Sequence, residues 1–198
     1  IIQIGGNLRL NGISSFIMTL YRNLQDDYQF IFINTAHGKD YYRKEIETMG
    51  GKVYDVVVKG KGLIRALRQS KKIREIIRKE KPIAVHSHYY SNNGMYLKQA
   101  YLEGVPVRIS HCHQSNPNGL TFGKRVAKYL SAKMVGKYAT HAFACSDAAR
   151  NFLYGNGGEV CYNAVDYQRF KPANENIYDK YGLDKDKRYF LFVGRFTK

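Results

Sequence analysis

Short apolar runs alternate along the chain with segments in which apolar positions recur every three or four residues. That pattern predicts a parallel sheet with helices on both faces, an α/β, Rossmann-like doubly wound fold. The runs read as strands over Ile1–Gly5, Tyr28–Asn34, Lys52–Val58, Ile83–His86, Val107–His111, His141–Cys145 and Glu159–Cys161. Between them, Gly12–Gln25 reads as a helix with Ile13, Phe16, Ile17, Leu20 and Leu24 on its apolar side. Tyr41–Met49 reads as a shorter helix. Gly62–Lys79 carries Leu63, Ile64, Leu67, Ile73, Ile76 and Ile77 at helical spacing and is stopped by Pro82. Asn93–Glu103 ends at Gly104, Lys124–Tyr138 is a basic helix, and Ser146 caps Asp147–Tyr154. The polar stretch 171–187, bracketed by Pro172 and Gly182, reads as a linker, and Tyr189–Val193 as the first strand of something new. The expected organisation is therefore a domain over 1–170, a linker over 171–187, and over 188–198 the start of a truncated second domain. A missing initiator Met leads us to expect residues upstream as well.

Composition narrows this picture. The chain has 198 residues, 44% of them hydrophobic, with 17 Tyr and 10 Phe, which suits a packed core rather than disorder. No apolar run reaches the length of a membrane span, and no signal peptide opens the chain. Cys112, Cys145 and Cys161 are dispersed and odd in number, which fits a reducing cytosol better than a disulfide framework. The charge is unusual: 32 Lys+Arg against 16 Asp+Glu give a net charge of +16. Such a field attracts an anion: nucleic acid, an acidic membrane or a phosphate-bearing substrate.

Three features carry candidate chemistry. The loop Gly5-Gly6-Asn7-Leu8-Arg9-Leu10-Asn11-Gly12 opens a helix, where glycines allow close approach and the helix N-terminus favours an anion. It lacks the spacing of the dinucleotide fingerprint, and the second strand ends in Asn34-Thr35 rather than an acid, which disfavours a NAD or FAD enzyme. The bland alternative is a turn needed only for packing.

The second feature is a pair of His-x-His elements, His86-Ser87-His88 and His111-Cys112-His113, each at the C-terminal end of a predicted strand. Alternation points both histidines of a pair to one face. A zinc-like site, hydrogen-bonded structural histidines and contact with a polar substrate are all open from spacing, the last being favoured.

The third is basic surface. Lys59 to Lys81 is dense in cations, and the helix with Lys124, Arg125, Lys128, Lys133 and Lys137 interleaves them with Phe122, Val126, Tyr129, Leu130 and Met134. The second pattern suits a helix lying on an anionic bilayer through Lys124, Arg125, Lys128 and Lys133. Phosphates of nucleic acid are the alternative, making the protein a nucleic-acid-binding module on a Rossmann-like scaffold. No recognition helix, aromatic sheet signature or zinc finger supports that partner.

The order of motifs then becomes informative. A glycine loop is followed by Val85-His86-Ser87-His88, by Gly104-Val105-Pro106-Val107, by Ala144-Cys145-Ser146, by Tyr162-Asn163-Ala164-Val165-Asp166 with Arg169-Phe170-Lys171-Pro172, and by Phe192-Val193-Gly194-Arg195-Phe196. The series resembles family 4 of the retaining glycosyltransferases, in the capsular or exopolysaccharide style, across essentially the whole chain. Tyr162 and Ala164 depart from the Pro and Gly of the family pattern.

The resemblance implies a GT-B fold of which this chain is the N-terminal, acceptor-side half. It implies a nucleotide-sugar donor, UDP- or GDP-linked, transfer with retention to a lipid-linked or polysaccharide acceptor, and no metal or other cofactor. Gly6, Gly12 and Arg195 would meet the donor diphosphate. His113, with His111 second, would contact the transferred sugar as the catalytic histidine. His86, His88 and Asn163 would line the acceptor crevice. The implied location is the cytoplasm, peripherally on the inner face of the cell membrane. The partner lysine and paired glutamates of the family fall beyond Lys198, so 1–198 alone is expected to be inactive.

Overall fold

The computed structural model describes residues 1–89, 92–114, 121–167, 170–171 and 176–192, without the side chain of Lys124. It divides into two compact units, Ile1–Ala164 and Val165–Lys198.

The first unit holds a seven-stranded sheet in the order β3-β2-β1-β4-β5-β6-β7, every neighbouring pair parallel. The strands are β1 (Ile2–Gly5), β2 (Ile31–Asn34), β3 (Lys52–Asp55), β4 (Ala84–Ser87), β5 (Val107–Cys112), β6 (His141–Ala144) and β7 (Glu159–Val160). The helices are α1 (Gly12–Leu24), α2 (Arg43–Thr48), α3 (Gly62–Glu80), α4 (Asn93–Leu102), α5 (Phe122–Tyr138) and α6 (Asp147–Tyr154). Strand order runs outward in opposite directions from β1 and from β4, so the boundary between them is the switch point where doubly wound sheets bind ligands.

Two apolar layers follow from strand alternation. Ile2, Ile4, Ile31, Ile33 and Val85 point to one face and pack with Ile73, Ile77, Tyr96 and Leu97 of α3 and α4. Phe30 and Phe32 point to the other and pack with Ile17, Met18 and Tyr21 of α1 and with Ile46 of α2. Asn11 caps α1 by accepting from Ser14 N, and Ser146 caps α6 by accepting from Ala149 N. Lys81, in the left-handed region at φ 46°, closes α3 immediately before Pro82.

Several expectations are corrected here. Leu63, Ile64 and Leu67 are exposed, at 66%, 61% and 55%, because the face of α3 turned inward carries Ala66, Gln69, Ser70, Ile73 and Ile77 instead. The buried stripe of α1 runs through Ser14, Ile17, Met18 and Tyr21 rather than through Leu20. On α5, Met134 turns to α4 instead of outward: a Cβ on Gly94 would lie 2.4 Å from Met134 Cβ and 2.6 Å from Ser131 O. Gly94 thus permits a close helix crossing, tied by its N–H donating to Ser131 Oγ at 3.2 Å.

In the second unit, Ile177–Tyr181 forms a short helix, α7, inside the stretch read as polar linker. Asn176 caps it, accepting from Tyr178 N and Asp179 N, and Gly182 at φ +63° ends it. Residues 189–192 form no strand, since no neighbouring strand is present among the described residues of this unit to supply the ladder. Residue 193 lies outside the described set.

Candidate functional site

The C-terminal ends of β1 and β4 meet at the switch point. The loop after β1 is tied to the segment after β2: Thr35 N and Ala36 N both donate to Gly6 O, and Thr35 Oγ1 donates to Gly5 O at 2.9 Å. Tyr89, just past β4, donates its hydroxyl to Gly5 O at 3.1 Å and also meets Thr35 Oγ1. A Cβ on Gly6 would lie 3.6 Å from that hydroxyl, an ordinary contact, so packing here does not itself require glycine. Gly12 starts α1 with open space around its Cβ position, and its helix has no acid in the first turn.

Beside this loop, the alternation of β4 and β5 brings all four histidines of the two His-x-His elements onto one face. The rings of His86 and His88 are 4.1 Å apart, as are those of His111 and His113. Across the two strands, His86 Nε2 lies 3.2 Å from His111 Nδ1, and His88 Nδ1 lies 3.0 Å from His113 Nε2. Phe16 of α1 covers the set, with its ring centroid 4.8 to 6.4 Å from all four imidazoles. Gln3, in the middle of β1, reaches His88 Nε2 with Oε1 at 2.7 Å.

Burial sets the charge of this cluster. His86, His88 and His111 are buried, whereas His113 is only partly so. Desolvation, with further lowering from neighbouring imidazoles, pushes His86 down to about 3 and His111 to about 2. Burial holds His88 well below the ordinary range and lowers His113 to about 4. All four are therefore neutral near pH 7, each able to donate with one nitrogen and accept with the other. His111 Nε2 is buried without a partner, which favours the tautomer with the proton on Nδ1, donated to His86.

Ligand nitrogens of His86, His88 and His111 lie within 4.8 Å of one another, the one such group among the described residues. A tetrahedral zinc site needs donors about 2.0–2.1 Å from the ion, a tighter set than this spacing offers without side-chain movement. In the geometry present, His86 Nε2 bonds to His111 Nδ1, His88 bonds to His113 and Gln3, and His111 Nε2 has no partner.

The opposite face of the same strand ends is also polar and fully paired. Ser87 Oγ and Tyr89 N both donate to Asn93 Oδ1, and Asn93 Nδ2 donates to Ser110 Oγ, which meets Tyr154 Oη at 2.7 Å. The ends of β4 and β5 are thus held from both sides, which fixes where His113 leaves the sheet.

The remaining predicted residues are separate from this cluster. Asn163 is exposed beyond the end of β7, two strands across from β5. Arg195 lies outside the described residues, as do Arg169, Pro172 and the residues from Val193 to Phe196. On α5, Ser131 and Val135 face inward, while Phe122, Val126, Tyr129 and Leu130 are exposed, Phe122 at 83%. Arg125 and Lys133 are exposed with them; Lys133 Nζ lies 4.7 Å from the centre of the Tyr129 ring. Lys128 is only partly exposed, its Nζ 4.4 Å over the Phe152 ring, so it serves α6 as well as the surface. Lys124 has its backbone in the first turn.

Gln3 and Phe16 were missed by the sequence reading. A Gln between isoleucines in a central strand is a buried polar group that must find a partner; that signal was available.

Comparison with known proteins gives the arrangement a context. The family model described as Glycosyltransferase Family 4 matches residues 10–169. EpsF of Bacillus subtilis (strain 168), provisionally named a glycosyltransferase, is 25% identical over 99% of this chain and 54% of its own length. The structure of HepE (Alr3699) of Anabaena in complex with UDP superposes with a TM-score of 0.68 at 11% identity, covering 90% of this chain and 48% of that one. A glycosyltransferase from Rickettsia africae ESF-5 gives 0.65 at 18% identity, over 93% and 50%. At such identities the structural likeness establishes the fold, and the chain spans about half the length of the relatives it matches.

Proposed function

The chain belongs to Glycosyltransferase Family 4, and from that premise we propose that the protein carrying it moves a sugar from a nucleotide-sugar donor to a lipid-linked or polysaccharide acceptor, with retention at the anomeric carbon. The observation that carries the reading is the family match over residues 10–169. The solved complexes of the similar HepE with UDP, and with UDP and glucose, support a uridine diphosphate sugar as the donor.

The site suits that chemistry. His113 is the one cluster member with partial access, at the loop after β5, and it is our candidate for contact with the transferred sugar, with His111 behind it. The Gly6–Gly12 loop brings backbone N–H groups and the N-terminus of α1 to the switch point, where a diphosphate gains from fixed dipoles. Arg195 is proposed as a further diphosphate contact and Asn163 as an acceptor-side residue, while the buried His86 and His88 back the crevice behind His113.

Among the described residues no helix is long and apolar enough to cross a membrane. We place the protein peripherally on an anionic membrane surface, through the exposed stripe of α5: Phe122, Val126, Tyr129 and Leu130 among Lys124, Arg125 and Lys133, with Lys128 at its margin. Apolar rings at the headgroup level with cations around them fit an interfacial helix.

The test uses the full-length protein with UDP-glucose and a membrane lipid extract, reading the anomeric configuration of the product by NMR. Transfer with the donor configuration preserved is expected. An inverted product would refute the retaining assignment, and absence of transfer from any sugar nucleotide would refute the function.

A further inference from the structure

A set of packed neutral imidazoles needs a definite assignment of protons, because two facing lone pairs or two facing N–H groups cannot share one contact. Gln3 supplies the boundary condition. Its Oε1, an acceptor only, lies 2.7 Å from His88 Nε2, so that nitrogen carries the proton. His88 therefore turns a bare Nδ1 toward His113, whose Nε2 sits 3.0 Å away and must donate to it. His113 is left with its proton on Nε2 and a free lone pair on Nδ1.

We propose that Gln3 and His88 are positioning residues that lock His113 in the Nε2–H tautomer, so that its Nδ1 meets the substrate as a hydrogen-bond acceptor. The identity of the substrate rests on the glycosyltransferase reading; the tautomer does not. The consequence is chemical. A bare nitrogen accepts from a hydroxyl and repels the lone pairs of a phosphate or ring oxygen. The group that His113 contacts in the ground state is accordingly a sugar hydroxyl, not the diphosphate.

Burial makes the lock rigid. Gln3 and His88 are both almost fully buried, so no solvent stands ready to replace either partner. Phe16 covers the helix side of His88 and His113, with ring centroids 5.9 and 5.2 Å away. His111 stacks on His113 at 4.1 Å, with its Nδ1 engaged by His86 and its Nε2 in no hydrogen bond, so it does not take the His113 Nε2 proton.

The experiment is a long-range proton–nitrogen correlation spectrum of the full-length protein labelled at histidine, near pH 7, followed by UDP-glucose kinetics. His88 and His113 are both expected with Nε2 protonated and Nδ1 bare. Gln3→Leu, close in volume, should mix the tautomers of His88 and carry those of His113 with it. Its kcat should fall by about 10–100-fold, the scale of removing the group that orients a functional imidazole, with KM held within about twofold. A merely structural role would lower the yield of folded protein and leave kcat per folded molecule unchanged. A wild-type His113 protonated on Nδ1 would overturn the proposal, as would a Gln3→Leu protein with an unchanged His113 spectrum. A wild type with the expected spectrum but no sugar transfer would uphold the tautomer lock and defeat the glycosyltransferase reading instead.

Discussion

Gly94→Ala is a one-carbon change whose effect can be worked out from distances. The added Cβ would stand 2.4 Å from Met134 Cβ, 2.6 Å from Ser131 O and 3.2 Å from Val135 N. Two of these are backbone atoms of α5 and the third is fixed to its backbone, so no side-chain rotation clears the clash and α5 must move off α4. Overpacking of this kind costs about 1–3 kcal/mol. Separating the helices also strains the bond from Gly94 N to Ser131 Oγ, worth about 0.5–1.5 kcal/mol. Helix propensity acts the other way and returns about 1 kcal/mol. The net is a destabilisation of about 0.5–3.5 kcal/mol, or roughly 1–14 °C in Tm at about 2–4 °C per kcal/mol.

Gly136→Ala provides the control, since that glycine lies within α5 with nothing within 4 Å of its Cβ position. It should raise stability by about 0.4–1 kcal/mol. Thermal unfolding followed by circular dichroism compares the two. Equal Tm values for the two variants would refute the close crossing, and with it the orientation of α5 that exposes Phe122 and Val126.

Three further outcomes follow from the site and the surface. The native histidines stay neutral where those of the unfolded chain, with pKa near 6.5, take up protons. Because the unfolded state then binds more protons, stability is fully present above about pH 6.5 and falls as pH drops toward the native value of about 4 for His113, by roughly 1.4 kcal/mol per pH unit for each histidine. A Tm independent of pH between 7 and 5 would contradict this. His113→Ala in the full-length protein should lower turnover with Tm near wild type, and wild-type turnover would remove His113 from the site. Arg125→Ala and Lys133→Ala should each weaken binding to phosphatidylserine vesicles by about 1 kcal/mol, an effect lost at high salt. Lys128→Ala should also lower Tm through the Phe152 contact, and salt-insensitive vesicle binding would refute the electrostatic account.

The fold class was legible because alternation of strands and helices predicts a parallel sheet with helices on both faces, and the strands ended within a few residues of where apolar runs stop; the order of the strands in the sheet came only with the structure. The exceptions have physical causes. Leu63, Ile64 and Leu67 obey helical periodicity, yet the first turns of α3 turn Ala66, Gln69 and Ser70 inward, residues that hydropathy does not mark. Tyr189–Phe192 is apolar enough for a strand, but a strand exists only where a neighbour completes the ladder. In the site, spacing placed His86 with His88 and His111 with His113, and could not reveal that β4 and β5 are adjacent, which makes two pairs into one cluster. Gln3 and Phe16 belong to elements far away in the chain, so only the packing of β1 and α1 against that cluster connects them to it.

The central claim is most directly tested by sugar-nucleotide turnover of the full-length protein with membrane lipid extract, measured with a metal chelator present and repeated with His113→Ala. The account predicts transfer to a lipid or glycan acceptor that survives the chelator and falls in the variant. Failure to bind any sugar nucleotide, together with tight and salt-sensitive binding of RNA or DNA, would contradict it.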